Sequence, residues 1–221
     1  MFSPRLDILP AAQRKLWPEL SSTPAVFVLH GGTAIALRLA HRFSVDFDFF
    51  APAAFVPGEL MAAVPYLAGA TVRQSAANAL TVTVDRGGPV QLSFFGGLSL
   101  GQVAEAEAVE GPGFAVASLV DLAGMKAAVV TQRAELKDYL DIHALMTQAG
   151  IELPVMLAAA SIIYGKDFNP IIALKAISYH SDPGLAELSA AVRRDLISAV
   201  RSVDLDRLPK LAAVRERGGR P

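Results

Sequence analysis

Cysteine is absent from the 221 residues. A disulfide framework, a thiolate metal site and a cysteine nucleophile are thereby excluded, and the absence fits a reducing compartment. An excess of one charge is also missing: 20 Lys and Arg stand against 21 Asp and Glu, a formal net charge of −1. No global basic field steers the chain onto nucleic acid, so such a partner would need a local basic patch. Arg193-Arg194 and the tail from Arg215 to Arg220 are candidates for one. Their plainer reading is a solvated helix face and a frayed terminus. Long apolar runs are lacking too. The longest, near Leu153 to Tyr164, is too short to span a bilayer. Met1 to Pro10 carries Arg5, Asp7 and two prolines, with no apolar signal-peptide core. These absences predict a cytoplasmic protein with no membrane partner. There is no internal repeat and no low-complexity tract.

What is present is globular. Apolar residues make up 52% and charged residues 19%, enough to bury a core without staples. Residues 25 to 30 (AVFVLH) read as a short buried strand closing in a tight Gly31-Gly32 turn. Thr33 to Arg42 reads as a helix whose first turn Thr33 can cap. Residues 44 to 50 (SVDFDFF) alternate, with Val45, Phe47 and Phe49 on one side and Ser44, Asp46, Asp48 and Phe50 on the other.

A helix is expected from Pro57 through Leu67. Strands follow over residues 70–74, 79–85 and 90–95, the last two joined by an Arg86-Gly87-Gly88 hairpin turn. Residues 101 to 116 read as a loop or a weak strand. From Ala117 the pattern turns helical, with Ser118 as a cap. Further helices are expected over Glu135 to Gln148, after Pro154, after Asn169-Pro170, and from about Leu185 to Val203. Strands fill the first half and helices the second. That predicts an α+β fold: a mixed sheet with flanking helices over residues 1–116, then a helical bundle over 117–221.

Asp46 and Asp48 are the most informative pair. Carboxylates at i and i+2 of a strand point the same way, about 7 Å apart. Unpaired, they repel each other and resist ionisation unless a cation lies between them. Mg²⁺, or Mn²⁺, is the natural partner, because hard cations take oxygen ligands. Taken alone, Asp-x-Asp is more often a solvated strand. Here it directly follows a strand, Gly31-Gly32 and a helix. Glycines allow close backbone approach, and N–H groups at a helix start hold phosphate oxygens. A cradle beside a metal-binding pair reads as a triphosphate site; the bland alternative for the glycines is a tight turn.

At this point GGTAIALRLAHRFSVDFDFF resembles the first motif of the polymerase-beta-like nucleotidyltransferase superfamily, and more narrowly the AbiEii/AbiGii toxin family of nucleotidyltransferases. The matching positions are Gly31, Gly32, Thr33, Arg42, Ser44, Asp46 and Asp48. SLVDLAGMKAAVVTQRAELKDYLDIHAL resembles the family's later motifs through Asp121, Lys126, Arg133, Lys137, Asp138 and Asp141, and NPIIALKAISYHSDP is similar to its C-terminal segment. The resemblance implies a nucleotidyltransferase-type core and a cleft between the two halves. It also implies transfer of a nucleoside monophosphate from an NTP, with an RNA acceptor such as a tRNA 3′ end, a toxin role and a cognate antitoxin.

Under it, Asp46, Asp48, Lys126 and Asp141 are catalytic, with the first two also holding metal. Gly31, Gly32, Thr33, Arg42, Ser44, Arg133, Lys137 and Asp138 bind nucleotide. Lys126 and Arg133 are expected on one helix face, where they could neutralise the triphosphate. Asp138 and Asp141 share a face of the next helix, and Asp141 could orient a cation or act as a base. The strand VQLSFF departs from the superfamily pattern. It offers Gln91 or Ser93 where many members carry a third acid. Three alternatives follow: Asp138 or Asp141 supplies the charge, the second metal is held through the nucleotide, or activity is weakened. Two rival functions remain, a non-catalytic NTP- or partner-binding module and a small-molecule nucleotidyltransferase.

The histidines read as structural. A buried, hydrogen-bonded His30 is favoured over a phosphate ligand, His41 suits a helix end, and His143 and His180 have no partner at metal-ligand spacing. Trp17 is expected to anchor packing of the N-terminal segment.

Overall fold

The computed structural model describes residues 1–217; Arg220, at the end of the candidate basic tail, lies outside them. The chain divides into two compact units. The first comprises Met1–Ser99 and Ala106–Ala117; the second comprises Leu100–Glu105 and, among the described residues, 118–217.

In the first unit, strands β1 (Val28–His30), β2 (Asp46–Phe50), β3 (Thr71–Ala76), β4 (Ala79–Asp85), β5 (Pro89–Phe95), β6 (Glu107–Ala108) and β7 (Ala115–Val116) form one sheet. Its order is β3-β4-β5-β2-β1-β7-β6, which makes β2 the central strand. The sheet is mixed: β2 pairs parallel with β5 and β1 parallel with β7, while the other pairs are antiparallel. Helices α1 (Ala11–Leu16), α2 (Gly31–Leu39) and α3 (Pro57–Ala63) flank it in the chain. The expected mixed sheet with flanking helices is therefore the observed fold.

Period-two alternation separates the faces of the sheet. Phe47, Phe49, Leu80, Val82, Val84, Val90, Leu92 and Phe94 are all buried. Phe49 and Phe94 stack at 5.3 Å between centroids. Trp17 lies edge-on to Phe114 at 5.3 Å and 6.4 Å from Phe47, so it anchors the N-terminal segment to this core as expected. The hairpin between β4 and β5 is held by Asp85 Oδ1, which accepts from the Gly87 and Gly88 N–H groups at 2.8 and 2.9 Å.

Local readings differ from the structure at several points. Helix α2 stops at Leu39, because Ala40 takes a left-handed conformation (φ 51°). Gly31 and Gly32 open that helix instead of forming a separate turn. Thr33 does not cap it; its hydroxyl turns to β2. Val45 lies before β2 and is 59% exposed, so it does not join the Phe47 face. Pro65 splits the expected 57–67 helix into α3 and a short 3-10 turn over Pro65–Leu67, since a proline ring cannot continue the ladder. Strands β6 and β7 are two-residue pieces.

The second unit is helical: α4 (Leu119–Val129), α5 (Leu136–Thr147), α6 (Leu153–Tyr164), α7 (Pro170–Ser178) and α8 (Ala190–Arg201). Ser118 caps α4 as read from sequence, accepting from the Asp121 N–H at 3.1 Å. The Asp121 carboxylate accepts in turn from the Val103 and Ala104 N–H groups and from Ser118 Oγ, which fixes the 100–105 segment to α4. Asn169 caps α7 and Ser189 caps α8. The last helix therefore begins later than Leu185, which belongs to a separate 3-10 turn. No helix among the described residues is long and apolar enough to cross a membrane.

Helices α4 and α6 meet at Gly124. A Cβ there would stand 2.8 Å from the Ala160 nitrogen and 2.9 Å from the Ala159 carbonyl carbon. In an open helix, Gly→Ala gains about 1 kcal/mol. Here the obstacle is backbone, and overpacking costs roughly 1–3 kcal/mol. Gly124→Ala is expected to lower the urea midpoint; a rise would show that α6 yields freely.

Candidate active site

Asp46 and Asp48 project from the polar face of the central strand, each half-buried. Cross-strand register extends that face into rows. Asp48 is flanked by His30 on β1 and Ser93 on β5, and Ser93 by Thr81 on β4. Asp46 is flanked by Gln91, and Gln91 by Thr83. The position beside Asp48 thus holds a buried serine in place of an acid, with the Thr81 hydroxyl 3.4 Å from Ser93 Oγ.

The two glycines make room for charge. A Cβ on Gly31, whose φ is +74°, would lie 2.7 Å from Asp48 Oδ2. One on Gly32 would lie 2.2 Å from Arg42 Nη2 and 3.3 Å from Ser44 Oγ. The missing side chains therefore let a carboxylate and a guanidinium settle against the first turn of α2. Arg42 also donates from Nη1 to the Phe43 carbonyl at 2.8 Å. Thr33, 1% exposed, brings its hydroxyl within 2.8 Å of Ser44 Oγ and bonds the Asp46 carbonyl. One threonine ties the start of the helix to the start of the carboxylate strand. Gly31, Gly32, Thr33, Arg42, Ser44, Asp46 and Asp48 are brought together as one cluster in the first unit.

No group of three or more His, Asp or Glu residues among the described residues could hold a metal by itself. Two carboxylates from one strand nevertheless suit Mg²⁺, which keeps several waters and binds through one or two carboxylates plus substrate phosphates. The donor set fits an ion that is completed by its substrate.

The remaining expected residues cluster in the second unit. Lys126, 7% exposed, places Nζ 2.6 Å from Asp138 Oδ1 and 2.7 Å from Asp141 Oδ2, and both carboxylates are fully buried. Arg133 does not share the Lys126 helix, because α4 ends at Val129. From the following loop its Nε donates to Asp138 Oδ2 at 2.9 Å. Two cations thus meet two carboxylates in a neutral set, with Arg133 on its half-exposed edge. Burial pushes the Asp138 carboxyl up, but the hydrogen bond from Arg133 and the charge of Lys126 overcome that, and its pKa falls below the ordinary value. Lys137 pairs with Glu135 at 3.0 Å.

His30 stacks on Phe50, and His143 lies 2.9 Å from Asp195. Burial lowers the pKa of His180. In the candidate basic patch Arg193 is occupied, donating to the carbonyls of Leu185, Ala186 and Leu188. Arg217 bonds Asp167 and the Tyr164 carbonyl. Thr81 and Thr83 were not singled out in the sequence. The alternation of β4 carries the signal that would have found them.

A mixed sheet whose central strand offers two carboxylates to one face, beside a glycine-led helix, defines the nucleotidyltransferase class. MenT4, a nucleotidyltransferase toxin from Mycobacterium tuberculosis H37Rv, superposes with a TM-score of 0.58 at 17% identity, covering 88% of this chain and 83% of that one. A crystal structure from H. pylori, provisionally described as a nucleotidyltransferase, gives 0.53 at 18% identity over 86% and 90%. These two likenesses carry the fold. The family model for the AbiEii nucleotidyl transferase toxin of type IV toxin–antitoxin systems matches residues 19–217, and the chain belongs to that family. An uncharacterised protein of Aquifex aeolicus (strain VF5) is 30% identical over 159 residues, 71% of this chain and 74% of its own length.

Three outcomes are expected from this geometry. Gly31→Ala requires a left-handed alanine, costing about 1–2 kcal/mol, and displaces Asp48; urea denaturation and divalent-ion titration check both effects. Lys126→Ala strands two buried carboxylates and is expected to cost about 3–5 kcal/mol. Because the Asp138 pKa is depressed on folding, its stabilisation is present above the unfolded value, 3.8, and is lost as pH falls through the lower folded value. Asp138→Asn is expected to flatten this acid limb of the stability curve; an unchanged limb would place the pH dependence on other carboxylates.

Proposed function

We propose that this toxin-family nucleotidyltransferase binds an NTP together with Mg²⁺ or Mn²⁺ on Asp46 and Asp48, and transfers the nucleoside monophosphate to an RNA hydroxyl such as a tRNA 3′ end. The observation that carries this reading is the pair of same-face carboxylates on the central strand, with Gly31 bare against Asp48. When bound, the cation would supply charge neutralisation of the phosphates and of the leaving pyrophosphate.

The chain's own residues act around it. The opening turn of α2, with Gly31 and Gly32, offers backbone N–H groups to phosphate oxygens. Arg42 and Ser44 border that turn, and Thr33 holds it against β2. In the transfer, the acceptor oxygen bonds the α-phosphorus, the bond to the bridging oxygen of pyrophosphate breaks, and the acceptor proton passes to a base. Lys126 and Asp141 belong to the catalytic set in this reading, with Arg133, Lys137 and Asp138 on the nucleotide side. Family membership supports a cognate antitoxin; the RNA acceptor and the cytoplasmic setting belong to the same proposal.

Purified protein, its Asp46→Asn/Asp48→Asn variant and Lys126→Ala are incubated with Mg²⁺, total tRNA and each α-labelled NTP in turn. The double variant is expected to lose label transfer by at least about a hundredfold while keeping its circular dichroism. Lys126→Ala that stays folded yet inactive supports a role on the reactants; loss of activity in step with unfolding assigns the lysine to its ion pairs. RNA binding that weakens steeply with salt supports the polymer acceptor. Absence of label in RNA with every NTP would overturn it in favour of a small-molecule acceptor.

A further inference from the structure

The polar face of the sheet continues past its carboxylates. Two residues beyond Asp48 on β2, about 7 Å along the strand, stands Phe50 on the same face. Its register partner on β5 is Phe95, and the two rings meet edge-on at 5.5 Å and 87°. His30, the register partner of Asp48 on β1, lays its imidazole over Phe50 at 4.8 Å and 20°. All three rings are half-exposed, whereas Phe47, Phe49 and Phe94 on the opposite face are 0% exposed. The core is closed by that opposite set. A stacked pair and a third ring edge-on to it, all partly exposed on the carboxylate face, have surface to offer a ligand. His30 also stands at the N-cap of α2 without making a side-chain cap bond; its ring joins the stack.

We propose that His30, Phe50 and Phe95 form a ledge on which a nucleobase stacks. The inference rests on the nucleotidyl-transfer reading and adds to it how the nucleoside is held. A ribose separates a nucleotide's reacting phosphate or hydroxyl from its base, and one row of the sheet separates Asp48 from Phe50. Every base presents a π-face, so the ledge selects nucleosides over bare phosphates without choosing strongly among bases. The base belongs either to the donor NTP or to the terminal nucleotide of the acceptor.

Equilibrium binding to the full chain with Mg²⁺ tests this, using each NTP, inorganic tripolyphosphate, a short single-stranded RNA with a free 3′ hydroxyl, and the same RNA with an abasic 3′ terminus. Phe50→Leu and Phe95→Leu are each expected to weaken a base-bearing probe by about 5- to 150-fold and leave tripolyphosphate unchanged, while Phe50→Tyr retains binding. Loss confined to NTPs assigns the donor base. Loss confined to RNA, and absent with the abasic terminus, assigns the acceptor base. Equal weakening of tripolyphosphate, unchanged affinity for every probe, or wild-type protein that binds no base-bearing probe would each overturn the ledge. Base-selective loss in a protein that transfers no label would leave the ledge standing and remove the transfer reading instead.

Discussion

A central strand has neighbours on both edges, so its two faces are all it can divide between core and solvent. In β2 that division is made residue by residue. Phe47 and Phe49 vanish into the core, and Asp46 and Asp48 are forced onto the other side. A one-residue slip would bury both carboxylates and expose both rings. The hydrophobic demand of the phenylalanines therefore holds the acidic pair in place. The sheet order, the bare glycines of α2 and the threonine that bonds the Asp46 carbonyl all serve this one register.

The second unit solves a different electrostatic problem. Desolvating a lone ammonium among alanines would be prohibitive. Lys126 is tolerated because two carboxylates meet it directly and Arg133 balances the second negative charge. Buried pairs of this kind add little net stability over an apolar replacement, yet they are costly to break singly. The set joins α4 to α5 by charge, while α4 joins α6 by the absence of a side chain at Gly124.

Much of the fold was legible because periodicity carries it. The alternation of residues 44–50 and the apolar runs 79–85 and 90–95 marked strands, and the Ser118 cap and the Asn169-Pro170 pair marked helix starts. Where reading failed, tertiary partners had overridden local preference. Thr33 has the chemistry of a cap, but Ser44 and the Asp46 carbonyl claim its hydroxyl. Arg133 looked continuous with the Lys126 helix, yet that helix ends at Val129 and the arginine reaches Asp138 from a loop. Val45 obeys the alternation of its neighbours but precedes the strand and meets no core. Around the carboxylates, spacing exposed the acidic pair, whereas the fit of Arg42 over Gly32 depends on chain segments that no periodicity relates.

Parallel pairing has a temporal consequence. Asp48 cannot acquire Ser93 as a neighbour until the β3–β4–β5 meander has been laid down, and Leu29 pairs with Val116 only once the chain has passed that point. A ribosome making this protein therefore releases the carboxylate strand when only β1 is available beside it, long before β5 can close its other edge. Through roughly the first half of synthesis the nascent chain holds the acidic strand in a sheet that is open on one edge. The carboxylate face gains its full set of neighbours only when these late, non-local pairings form.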